Sequence, residues 1–319
     1  MIINFLLTFI PITVATVLAI LTSGGTLTCI FDSVSFAGTI ILFAISIIFS
    51  GYTNPFCKIF STKKKFSNLT LQDLQKIDSA LKLATKLFIY TTILVPVAIL
   101  IYTFRNYYNN SKTLSEVGPN CAIFLTSFLY LCIFEMILFT LKSKVKKSII
   151  LYMSETSQNI KKDTSFSAIK FAIGILLFAI ISFVYGYIAG HFALGNVSFL
   201  YSIFDLPALI ILFLYVIPLI AISGNLKVLL ISISVIFSKN KINITQKNLY
   251  LNAIKTTTTL NWFAAFCFTL CGWIAMLCFL EDKTYLLPNL SVSIIPIFYT
   301  TIFNLFLLLV ETRVNKAAE

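Results

Sequence analysis

Gly118-Pro119-Asn120, about twenty apolar residues and then Leu141-Lys142-Ser143-Lys144-Val145-Lys146-Lys147 form a stretch that returns near the C-terminus. There the chain reads Leu287-Pro288-Asn289, another apolar run, and Val310-Glu311-Thr312-Arg313-Val314-Asn315-Lys316. At a shift of 169 residues, without a gap, the copies share Pro119/Pro288, Asn120/Asn289, Tyr130/Tyr299, Ile133/Ile302, Phe134/Phe303, Leu138/Leu307, Val145/Val314 and Lys147/Lys316. Each copy reads as a turn, a membrane-spanning helix and a basic exit. Self-similarity at a fixed spacing marks a tandem duplication.

Working outward, the earlier parts of the halves align at a shift of 173 residues. Phe31-Asp32 falls on Phe204-Asp205, Ser50-Gly51 on Ser223-Gly224, and Ala80-Leu81-Lys82 with Thr85 and Leu87 on Ala253-Ile254-Lys255 with Thr258 and Leu260. A four-residue deletion reconciles the two shifts, and the segment 105–119 is where it fits best.

Of 319 residues, 58% are hydrophobic and only 11% charged, with a mean hydropathy of +0.94, too few polar side chains to coat a soluble globule. Apolar runs matching a hydrocarbon core of roughly 30 Å occur near 2–22, 35–53, 84–104, 121–141, 168–190, 206–226, 256–280 and 290–310. The expected fold is an all-α integral membrane protein of eight transmembrane helices. The first run carries no basic n-region and reads as an uncleaved span.

The charges sort by side. Segments 54–86, 142–170, 227–255 and 311–319 hold 21 of the 24 Lys and Arg residues, and the opposite face keeps only Arg105, Lys112 and Lys283. By the positive-inside rule both termini are cytoplasmic, and the net charge of +12 reflects topology rather than nucleic-acid binding. Four spans per copy return the chain to its starting side, so the repeats are expected to be parallel. Their boundaries are 1–147 and 168–319, joined by a cytoplasmic linker at 148–167. Leu71, Leu74, Ile77, Leu81 and Ala84 have helical spacing and run without a breaker into the third span. Helices three and seven are therefore expected to project into the cytoplasm, the former over roughly 50 Å from Thr70 to Phe104.

The order of spans, the Phe-Asp openings, the long third helix and the basic exit of the fourth span together resemble the four-span subunits of the MotA/TolQ/ExbB proton-channel family, nearest its flagellar motor branch. Phe204-Asp205-Leu206-Pro207-Ala208 is similar to the opening of that family's second span, and Gly118 to Ala122 with Leu125 to Tyr130 to the start of its fourth. The resemblance covers nearly the whole chain, once per half. It implies a bacterial inner-membrane oligomer whose third and fourth spans surround a single-span MotB/ExbD/TolR-like partner, with ion flow driving motion. The chain departs from the pattern at Phe128, Pro296 and Ile297, where hydroxyls are lost, and at Ile93-Leu94-Val95-Pro96, while Thr269 and Gly272 are kept in the second copy.

Glu135 is the one acid deep in a span, where carboxyl groups face a bundle interior or an aqueous cavity. It reads either as a proton-binding carboxylate or as a hydrogen-bonded bridge between helices, with Asn304 at its matched position. Thr126, Ser127, Thr269 and Thr300 complete a candidate ion path, and Pro96, Pro218 and Pro296 are candidate hinges. Asp32 and Asp205 read as helix N-caps. His191 reads as an interfacial residue, and Thr256 to Thr259 either line a polar vestibule or bond back to the preceding turn. The cysteines, mostly inside apolar runs, suggest neither a disulfide framework nor a metal site. No nucleotide loop, nucleophile elbow or metal-binding pattern is present, so neither an enzymatic activity nor a cofactor is expected. Two other readings remain: a secondary transporter with a solute site near Glu135 and Asn304, and a scaffold descended from a channel that no longer conducts.

Overall fold

A computed structural model describes residues 2–61, 69–109, 114–156, 205–234, 242–278 and 286–317, with isolated positions between 169 and 180. All regular structure among the described residues is helical. In chain order the helices are α1 (Ile2–Thr22), α2 (Ser33–Phe49), α3 (Thr53–Ser61), α4 (Leu71–Asn109), α5 (Leu114–Thr156), α6 (Leu206–Ile222), α7 (Leu226–Ser234), α8 (Ile244–Cys278) and α9 (Leu286–Ala317).

Four segments are long and apolar enough to cross a membrane: Leu27–Phe49, Cys121–Ser154, Ile244–Cys278 and Val292–Asn315. The pair α6 and α7, bent by 102°, makes a fifth if taken as one span. The chain is thus a multi-pass membrane protein. Of the expected run at 168–190 only isolated positions are described.

Helix ends follow local chemistry. Asp205 caps α6 by accepting the Ala208 amide at 3.2 Å, and Asp32 accepts the Ser35 amide at 3.1 Å at the start of α2. Both helices end at a glycine with positive φ, Gly51 (72°) and Gly224 (73°), a conformation only glycine enters without strain. Thr70 and Asp73 cap each other reciprocally ahead of α4: the Asp73 amide donates to Thr70 Oγ1 at 3.3 Å and the Thr70 hydroxyl donates to Asp73 Oδ2 at 3.0 Å. Lys58 of α3 joins that cap through a 3.3 Å ion pair with Asp73.

One expectation is corrected. Gly118-Pro119-Asn120 and Leu287-Pro288-Asn289 are not turns but lie inside α5 and α9, near their N-termini. The first amides of a helix have no acceptor within it, so Pro288, the third residue of α9, removes no helical hydrogen bond. At the other end, α5 continues through residues 148–156, so the first part of the expected linker is helical.

The long helices α4, α5, α8 and α9 pack in that order as a row, and α1, α2 and α6 lie behind it. Helix α2 meets α4 through Phe43 and Phe88 (5.2 Å) and α5 through Phe36 and Phe134 (6.2 Å). Helix α6 packs on α8 and is tied to α1 by the Tyr215 hydroxyl, which donates to Thr16 Oγ1 at 2.7 Å. Tyr215, Phe88 and Phe268 are among the largest fully buried side chains. The pairings α2–α4, α3–α4, α4–α5 and α2–α5 recur as α6–α8, α7–α8, α8–α9 and α6–α9.

Candidate functional site

The six candidate ion-path residues fall into two groups. Asn304, Thr300 and Thr269 lie together in the seam between α8 and α9. Asn261 Nδ2 donates to Asn304 Oδ1 at 2.9 Å, Asn304 Nδ2 donates to the Thr258 carbonyl at 3.4 Å, and Thr300 donates to the Asn261 carbonyl at 3.3 Å. Further along, Thr269 donates to the Ser293 carbonyl at 2.8 Å. Gly272 permits this approach, since a Cβ there would stand 2.4 Å from Ser293 Cβ. Small residues and interhelical hydrogen bonds are what hold helices together where lipid supplies no hydrophobic drive.

Glu135, Ser127 and Thr126 lie on α5. Thr126 bonds back to the Ala122 carbonyl at 2.8 Å. The Ser127 hydroxyl and Glu135 Oε1 are buried with no hydrogen-bond partner, and Glu135 is only 2% exposed. The sequence match accounts for the contrast with Asn304. Asn304 finds Asn261, whereas the residue matched with Asn261 in the first half is Phe88, whose side chain has no hydrogen-bonding group. Glu135 is therefore the polar group on this row that lacks the complement its counterpart has, an arrangement that costs free energy in the absence of a further ligand or proton.

The candidate hinge prolines sit within helices that continue past them: Pro96 in α4, Pro218 in α6 and Pro296 in α9. A bend of 102° comes at Ser223-Gly224-Asn225, where the chain turns from α6 into α7. His191 lies outside the described residues.

A polar cluster that sequence reasoning missed joins α5, α7 and α8 at their lysine-rich ends. Ser143 Oγ lies 2.6 Å from Thr256 Oγ1 and accepts from Asn225 Nδ2 at 2.7 Å, and Asn252 Nδ2 donates to the Ser143 carbonyl at 3.4 Å. All four residues are buried. Lys147 adds a hydrogen bond from its ammonium group to the Gly224 carbonyl. The Thr256-Thr257-Thr258-Thr259 row combines its two expected roles. Thr256, Thr257 and Thr259 bond back to carbonyls four residues earlier, while Thr256, Thr258 and Thr259 line a cavity of about 320 Å³ beside Lys142, Lys146 and Lys255.

Along α8, Lys255, Thr259, Trp262, Phe266, Leu270 and Trp273 recur at helical spacing on a less buried face of the helix, with Phe266 46% exposed and Trp262 stacked on it at 6.0 Å. Among the described residues no three His, Cys, Asp or Glu side chains converge as metal ligands would. Comparison with known protein families, with curated proteins and with solved structures finds no match to this chain.

Proposed function

We propose that this chain is a duplicated subunit of the MotA/TolQ/ExbB type, two four-span repeats in parallel, which joins further copies around a single-span partner carrying a transmembrane acid. It would sit in a bacterial inner membrane with both termini cytoplasmic and serve as part of a proton channel or stator. The observation that carries this reading is the joint between the halves. The fourth-span helix α5 packs along the third-span helix α8 as extensively as α4 packs on α5, so third and fourth spans alternate along one row. A ring of such rows repeats the α5–α8 contact between chains. The recurrence of four helix pairings in both halves supports the parallel duplication, and exposed Phe266 on α8 offers a partner helix an apolar contact. Glu135 is the candidate proton-binding group.

Mass measurement of the detergent-solubilised protein, alone and with a single-span acidic partner, tests the proposal. Several chains with the partner's mass added support it; a lone chain that takes up no such partner opposes it.

One observation favours a second reading, a scaffold that no longer conducts. Thr269, Thr300 and Asn304 are all engaged across the α8–α9 seam, which leaves the second half no unengaged polar group at the matched positions. Proton flux through liposomes containing the full complex separates the two.

A further inference from the structure

We propose that the cavity between α5, α8 and α9 binds a phosphate-bearing anion, with an anionic phospholipid headgroup as its source. The cavity, about 320 Å³, is lined by Lys142 and Lys146 from α5 and Lys255 from α8, with hydroxyls from Thr258 and Thr259 beside them. That volume lies at the lower end of the roughly 300–1,000 Å³ typical of ligand sites. None of the three lysines forms an ion pair among the described residues, and the single acid on the wall, Glu311, leaves an excess of positive charge. The floor is fixed: Ser143, Asn252 and Thr256 line it and hydrogen-bond to one another in the buried cluster.

Three lysines lining one cavity beside a hydrogen-bonded polar wall, with the Thr258 hydroxyl alongside, match the charge and the several acceptor oxygens of a phosphate. The surroundings favour a lipid over a free ion. Phe139 forms part of the wall, with Lys142 lying over its ring at 5.7 Å, so the cavity joins an apolar surface to its lysines. An acyl chain resting against Phe139 brings its headgroup to the lysines, as basic pockets between membrane helices do for anionic lipids. The site belongs to one chain, so it stands or falls independently of the proposed assembly.

The test is native mass spectrometry of the full chain in neutral detergent, titrated with phosphatidylglycerol, phosphatidylcholine or inorganic phosphate. Retention of phosphatidylglycerol over phosphatidylcholine by at least about tenfold is expected, with loss of that preference in the Lys142→Gln, Lys146→Gln, Lys255→Gln variant. Glu311→Gln, which leaves the lysines in place, is expected to tighten phosphatidylglycerol binding by about fivefold. Competition by millimolar inorganic phosphate supports the anion site while assigning it to a free phosphate. Equal retention of both lipids by the unaltered chain, or a preference that survives the triple substitution or is weakened by Glu311→Gln, overturns the proposal.

Discussion

The main-chain amide of Asp205 donates to the hydroxyl of Tyr299 at 2.7 Å, and the same bond joins Asp32 to Tyr130 at 2.8 Å. Each tyrosine sits mid-helix, on α9 or α5, and reaches the residue that caps the helix behind it, α6 or α2. Two residue pairs found by sequence matching are thus also two matched contacts. In the first half the Tyr130 hydroxyl also donates to the Ile30 carbonyl at 2.9 Å, which holds the short 3₁₀ turn Leu27–Ile30 against α5.

Tyr130→Phe and Tyr299→Phe each leave a capping residue's amide without its acceptor. Each is expected to lower stability by about 1 kcal/mol, and the double variant by the sum, because the sites share no partner. Thermal unfolding in detergent checks this. A loss confined to one of the two would show that the halves do not use the contact alike.

Gly272→Ala is expected to destabilise by about 1–3 kcal/mol, since its methyl group would collide with Ser293 Cβ and push α8 from α9. Gly224→Ala meets no such obstruction, its nearest neighbour being the Lys147 ammonium at 3.5 Å, and is expected to cost about 1–2 kcal/mol through its positive φ alone. A Gly272→Ala chain as stable as the unaltered protein would argue against the close seam.

Glu135→Gln keeps the side chain's shape and removes an ionisable carboxyl whose Oε1 has no hydrogen-bond partner. It is expected to leave stability unchanged or to raise it, whereas Glu135→Ala opens a void and lowers stability by about 1–3 kcal/mol. In liposomes containing the full complex, the Gln variant is expected to abolish proton flux. Unaltered flux in Glu135→Gln would remove Glu135 from the path.

Outside the membrane, the Thr70 hydroxyl and then Lys58 hold the Asp73 carboxyl below its ordinary value of 3.8. The ionised form is the one favoured on folding. Its contribution is therefore complete above pH 3.8 and is lost as pH falls through the lower folded value. Proteolysis between α3 and α4 is expected to accelerate only below pH 3.8, and Thr70→Ala is expected to raise the carboxyl's pKa in an NMR titration. An unchanged pKa in that variant would contradict the cap.

Much of the fold is legible in the sequence because its determinants are local. The apolar runs, Thr70 ahead of α4, Gly51 and Gly224 at helix ends, and Asp32 and Asp205 as caps all act within a few residues. Pro119 and Pro288 mislead because proline near a helix start looks the same as proline in a turn. The candidate site is less legible because its partners are far apart in the chain. Glu135 stands out as an intramembrane acid, but that Asn304 is satisfied by Asn261 depends on the α8–α9 register. Lys142, Lys146 and Lys255 read as topology determinants on two separate segments, and only the α5–α8 contact makes them walls of one cavity.

The central claim, that the exposed face of the row meets other chains, is tested most directly by a photo-crosslinking residue at Phe266, with the exposed position Ile217 on α6 as control. In membranes, position 266 is predicted to join a second copy or a single-span chain identified by mass spectrometry, while position 217 joins lipid alone. Lipid adducts alone at both positions would contradict the account.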